Sequence, residues 1–165
     1  MKKVITTSFI LIFSFLFVNI LISSSKGKTG YTKKGCICHG KLSAGNSTIQ
    51  LKSTPNIFDK KGFNPDSTYQ IIISLKGETK TKNGGFNLKV SHGKLTKDSR
   101  FTKIMGQEAT HANNRKTEWV LNWTAPNTSV DTVTFFYTGC LANGNYKKSG
   151  DDPTVPQTLI AHKAK

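Results

Sequence analysis

The clearest signal in the chain is a period of two. Residues 68–75 (TYQIIISL) place Tyr69, Ile71, Ile73 and Leu75 on one face. Residues 85–91 (GFNLKVS) do the same with Phe86, Leu88 and Val90, and residues 117–124 (TEWVLNWT) with Trp119, Leu121 and Trp123. Residues 131–138 (DTVTFFYT) alternate Val133, Phe135 and Tyr137, and shorter candidates lie at 47–52 and 157–162. This alternation is the mark of half-buried strands. The runs are separated by Asn64-Pro65-Asp66, Asn83-Gly84-Gly85, Ala125-Pro126-Asn127 and Asn143-Gly144, which are turn formers. No long 3.6-residue period, heptad or repeat is present. Short, regularly spaced strands predict an all-β antiparallel sandwich. The short Pro-Asn loop between 117–124 and 131–138 predicts that these two strands are hairpin neighbours. In that register Cys140 falls near Arg115, and His111 lies at the same end of the sandwich.

The N-terminus follows a different rule. Met1-Lys2-Lys3 is basic, residues 8–22 are apolar, and Ser23, Ser24 and Ser25 are small. This order reads as a secretory signal peptide over residues 1–25. The apolar run is shorter than the ~20 residues of a membrane-spanning helix. The expected organisation is then a loop over 26–46 and a sandwich over 47–165, with 26–165 forming one domain in a periplasmic or equivalent extracytoplasmic compartment. The 165-residue length agrees with a single domain.

Composition refines this. Lys plus Arg is 24 against 9 for Asp plus Glu, giving a formal charge of +15. Loss of residues 1–25 removes two lysines and no acid. A surface of that sign favours an acidic partner protein. An exported chain without a recognition motif is not read as a nucleic-acid binder. The case for an enzyme is thin: no G-x-S-x-G string occurs and acids are few.

The chemistry concentrates in Gly35-Cys36-Ile37-Cys38-His39-Gly40. The usual covalent haem motif is C-x-x-C-H, in which two thiols bond the haem and the adjacent His binds iron. Here the spacer is one residue, while the Cys-His adjacency is intact. The leading reading is one haem c, attached through Cys36 and Cys38 with His39 as proximal ligand. A zinc or copper site using Cys36, Cys38, His39 and Cys140 stands beside it. A C-x-C redox pair and a plain disulfide to Cys140 are further alternatives. A Cys36–Cys38 disulfide would close a strained ring.

Three cysteines is an odd number. With Cys36 and Cys38 on haem, Cys140 lacks a disulfide partner, and it follows the strand at 131–138. A thiolate is a soft iron ligand, so Cys140 is the first candidate for the distal position. His111, in Ala109-Thr110-His111-Ala112, is the second, and Met105 a weak third. His92 and His162 read as structural or exposed. Asp151-Asp152, next to Gly150, offers a cation-binding pair, but a turn is the leading reading.

Several strings in order carry a resemblance: Gly30-Tyr31-Thr32, Gly85-Phe86-Asn87-Leu88, Ala109-Thr110-His111, Trp119 through Trp123-Thr124-Ala125-Pro126, Val133 to Tyr137, Asn143-Gly144 and Gly150-Asp151. Together, over roughly residues 30–152, they resemble the exported reeler-like, or choice-of-anchor V, domains of bacteria. That resemblance implies an immunoglobulin-like β-sandwich with a C-x-x-C-H element near its start, here falling on Cys36, Cys38 and His39, and it maps the T-H histidine onto His111. The chain departs from the pattern in its contracted spacer and in Cys140, where relatives more often carry a small polar residue. A looser similarity links it to the mono-haem NaxLS-type cytochromes of anaerobic ammonium-oxidising bacteria, which have His/Cys ligation. The combined expectation is a non-enzymatic cytochrome for one-electron transfer or binding of a small gas. It would serve an acidic redox partner, as a monomer, homodimer or heterodimer. A non-haem interaction module is the alternative.

Overall fold

The computed structural model describes residues 25–42, 46–78 and 83–165. The signal-peptide reading falls on residues 1–25 and so lies almost wholly outside the described residues. Ten strands follow in order: β1 (Thr48–Thr54), β2 (Thr68–Lys76), β3 (Asn83–Val90), β4 (Lys94–Lys97), β5 (Thr102–Met105), β6 (Glu108–His111), β7 (Glu118–Thr124), β8 (Thr132–Ala142), β9 (Asp152–Pro153) and β10 (Gln157–His162). They form two antiparallel sheets. The smaller has the order β1-β2-β7-β4, and the larger β10-β8-β3-β6-β5, with β9 also on β8. The fold is therefore an all-β sandwich, as the alternation predicts.

The apolar faces meet between the sheets. Ile71, Ile73, Leu121, Trp119 and Trp123 from the smaller sheet pack against Phe86, Leu88, Val90, Val133 and Phe135 from the larger. Trp123 is the hub. Its ring meets Phe135 at 5.1 Å and Phe63 at 5.6 Å, both edge-on, and Tyr69 at 5.9 Å. Edge-to-face contacts of this kind add to the area these rings bury.

One expectation is corrected here. The strands at 117–124 and 131–138 are not hairpin neighbours. β7 pairs with β2 and β4, whereas β8 pairs with β3, β9 and β10. Their apolar faces oppose one another across the core, so the Pro126 loop crosses between sheets. A two-sided sandwich offers Trp123 and Phe135 more burial face to face than side by side.

The loop of residues 26–42 precedes β1. It contains a single 3-10 turn, Ile37–His39, yet it lies docked on the larger sheet. The Lys103 ammonium donates to the Lys26 and Gly27 carbonyls at 2.7 and 3.1 Å. The Gly30 amide donates to Glu108 at 2.7 Å and the Tyr31 amide to the Asn87 side chain at 2.8 Å. Gly27 touches β6 so closely that a Cβ there would sit 2.2 Å from the His111 carbonyl oxygen.

The two indoles separate packing from hydrogen bonding. Trp123 Nε1 donates to the His92 carbonyl at 3.0 Å, while buried Trp119 Nε1 has no partner among the described residues. Each Trp→Phe change removes a similar volume, but only one breaks a hydrogen bond. Trp123→Phe is expected to lower stability by about 1 kcal/mol more than Trp119→Phe. Urea unfolding of the two variants checks this, and equal losses would show that the Trp123 bond contributes nothing.

Candidate metal centre

The site forms where the docked loop crosses the far end of β8. Along β8, burial changes from alternate residues to an unbroken run, Tyr137 to Leu141. Leu141 faces the core, and Thr138 and Cys140 face the loop. Cys140 is thus inside β8 rather than beyond it, because the strand runs to Ala142. The edge of β8 at this point is occupied by β9, with Cys140 opposite Pro153 and Leu141 opposite Asp152. That pairing brings Asp151 beside Cys140.

The opposite wall is the cysteine turn. Cys36 caps the 3-10 turn, and the His39 amide donates to the Cys36 carbonyl at 2.9 Å. With three residues per turn, positions i and i+3 share a side. Cys36 and His39 accordingly both face β8 and its β9 connection, and Cys38 does not. Cys38 donates to the Tyr31 hydroxyl at 3.7 Å and lines a cavity of about 390 Å³ with Thr29, Gly30, Tyr31, Lys34 and Ile37.

His39 Nδ1 lies 2.7 Å from Asp151 Oδ2, and the carboxylate's other oxygen accepts the Asn143 amide at 3.1 Å. Asp152 takes the Ser47 amide at 2.8 Å. Ligand atoms of His39, Cys140 and Asp151 all lie within 4.8 Å of one another. Cys36 completes the neighbourhood from beside Cys140 and Thr138. Burial pushes the Cys36 thiol up to about 12; the Thr138 hydrogen bond opposes that rise, and Cys38 adds slightly to it. Burial also raises Cys140, reinforced by Cys36 and Asp151. The hydrogen bond with Cys38, and then that thiol's charge, raise Tyr31.

Three of the four residues of the expected metal set thus gather with a fourth from outside that set. Cys36, His39 and Cys140 converge, Cys38 turns away, and Asp151 joins. Asp151 had read as a turn; its signal was an acid pair, Asp151-Asp152, in a chain with 9 acids. His111 stands apart from this group. The Phe86 amide donates to its Nδ1 at 3.2 Å, and its ring lies 6.3 Å from that of Trp119. A Cβ on Gly85 would fall 2.4 Å from His111 Cε1, so the imidazole needs a glycine there. Gly85 is the register partner of Cys140. Cys140 and His111 therefore share an end of the sandwich, though through β3 rather than through a β7–β8 hairpin. Met105 is exposed on β5, with the Thr29 hydroxyl 4.0 Å from its sulfur. His92 and His162 are exposed.

No family model and no curated protein matches the chain. Solved structures do. The Reelin-N domain of F-spondin superposes with a TM-score of 0.54 at 15% identity, covering 77% of this chain and 94% of that one. Two fragments of the human F-spondin reeler domain give 0.52 at 15% identity and 0.53 at 14%. These cover 75% and 70% of this chain, and 96% and 91% of theirs. The chain thus has the reeler-domain fold, in agreement with the resemblance carried by its motifs.

The raised thiols make stability depend on pH in the alkaline range. A thiol whose folded-state pKa is raised contributes stability below its ordinary value and loses it as pH rises through the folded value. Cys36 should therefore cost up to about 1.4 kcal/mol per pH unit between about 9 and about 12. Denaturant unfolding of the haem-free chain across that range should show a decline that Cys36→Ala makes shallower, with the remainder carried by Cys140. An unchanged slope in Cys36→Ala would rule out the burial of this thiol.

Proposed function

We propose that the chain is an exported, mono-haem c-type protein for one-electron transfer rather than an enzyme. Cys36 and Cys38 would hold the haem through thioethers, with His39 as proximal and Cys140 as distal ligand, and His111 as the second distal candidate. The observation that carries this is the grouping of His39, Cys140 and Asp151 beside the cysteine turn. Metal-binding histidines characteristically give their other ring nitrogen to a carboxylate, and Asp151 stands at His39 Nδ1. The donor types, an imidazole and thiols, suit iron, and attachment through both thioethers would require Cys36 to turn from Thr138 to the side that Cys38 occupies.

Haem bound there would supply an iron atom that gains and releases one electron. The chain's residues would do the rest. Asp151 fixes the His39 ring, Cys140 offers a soft anionic ligand that lowers the potential, and the docked loop excludes water. Around the turn, Lys33, Lys34, Lys41, Lys147 and Lys148 are exposed, and Ile37 is 52% exposed. An apolar contact ringed by lysines suits an acidic redox partner. Export is supported by the pattern of residues 1–25, and no helix among the described residues is long and apolar enough to cross a membrane.

Expression in a host with c-type maturation is expected to give one acid-resistant haem per chain and a thioether-type pyridine haemochrome band. Cys38→Ala should leave a single thioether and shift that band. Cys140→Ala should keep the haem and abolish the thiolate signature, in which case His111→Ala leaves it intact. Absence of covalent haem from a competent host would overturn the cytochrome reading and favour an interaction module, as the shared reeler-domain fold would allow.

A further inference from the structure

We propose that the haem-free chain holds a site for a zinc-class transition-metal ion. Its ligands are His39, Cys140 and Asp151, with Cys36 as the fourth and Cys38 excluded. The site does not rest on the haem reading, and its ligand set differs from that reading at two residues.

Four arguments converge. The ligand atoms of the three residues already lie within 4.8 Å of one another, and neighbouring ligands on a tetrahedral ion are about 3.4–3.8 Å apart. Small movements would bring these three onto one ion, and Cys36, which lies outside that cluster, would have to close in as the fourth. The donors are one or two sulfurs, an imidazole nitrogen and a carboxylate oxygen, a set that suits zinc, cobalt or copper and disfavours calcium and magnesium. The group is also sequestered: Cys140 is 4% exposed and the Asp151 side chain 7%. Finally, the turn sorts the ligands. Cys36 and His39 share its sheet-facing side by their i, i+3 spacing, and Cys38 is directed to Tyr31.

Binding is an exchange of protons for metal. Each coordinating thiol releases its proton to solvent as the sulfur–metal bond forms, and no electron moves. The Asn143 amide bond to Asp151 can persist and orient the carboxylate.

The test is titration of the haem-free exported chain with Co²⁺ alone, in a phosphine reductant. One equivalent should give thiolate-to-cobalt charge transfer and the intense visible bands of a four-coordinate ion, and Zn²⁺ should displace it. Cys140→Ser should abolish the charge transfer or reduce it to that of one thiolate. Cys36→Ser should weaken it. Asp151→Asn should raise the Kd at least tenfold. Cys38→Ser and His111→Ala should bind as the parent does. Zn²⁺ should raise the Tm of the parent and of Cys38→Ser by similar amounts and that of Cys140→Ser by much less, and a cooperative metal-free transition in Cys140→Ser shows that this variant folds. An octahedral spectrum without charge transfer, a Cys38→Ser chain that no longer binds, or Cys140→Ser binding like the parent overturns the proposal. The haem reading fails separately: it requires Cys38 and a maturation host, and the ion site requires neither.

Discussion

The double burial of β8 between Tyr137 and Leu141 is the constraint on which the site depends. Most strands of a sandwich show one face to the core and one to water. Here the core takes Tyr137 and Leu141, while the docked N-terminal loop takes Thr138 and Cys140. A buried thiol on the outer face of a sheet must have a cover. Its cover is the cysteine turn, whose own sheet-facing side chains are Cys36 and His39. Sulfur and imidazole therefore meet because a loop without regular strands was given a sheet to lie on.

What holds the loop there is charge, sparingly used. The chain has 9 acidic residues, and Glu108, Asp151 and Asp152 all bind the N-terminal segment or the stretch just after it. Glu108 accepts from the Gly30 amide and from the Asn87 side chain, which in turn accepts from the Tyr31 amide. Asp151 grips His39 and Asp152 the Ser47 amide. Half-buried carboxylates that accept backbone amides make stronger bonds than neutral partners do. In a chain so basic, these three acids anchor the docking together with Lys103 and Asn87, and other lysines face solvent around the turn.

The sandwich was legible because alternation is a local property. Trp119, Leu121 and Trp123, or Val133, Phe135 and Tyr137, declare a strand without reference to any other segment. The run at 157–162 appears as β10 with the same bounds. Pairing was less legible. The Pro126 loop is as short as a hairpin's, and only the opposition of Trp123 and Phe135 across the core shows that it changes sheets. β4, β5, β6 and β9 are two to four residues long, too short for a period to register. In the site, Cys36, His39 and Cys140 stood out by residue type. Asp151 did not, because its role comes from a pairing of β9 with β8 that no local pattern encodes.

That origin has an energetic consequence for any metal. His39 and Asp151 are 112 residues apart in sequence, and Cys140 lies between them. In a zinc finger, the metal must assemble its ligands from an unfolded chain, and binding energy becomes folding energy. Here the core closes around Trp123 without any ligand of the site, and Glu108 and Asn87 hold the loop independently of His39. The closure entropy of so long a loop is thus met by the sandwich before a metal arrives. Affinity is then set by donor identity and by the desolvation of Asp151 and two thiols, and only weakly by chain ordering. For the same reason, a choice between haem and a bare ion would fall to two donors, Cys38, which the fold turns to Tyr31, and Asp151, which it turns to Cys140.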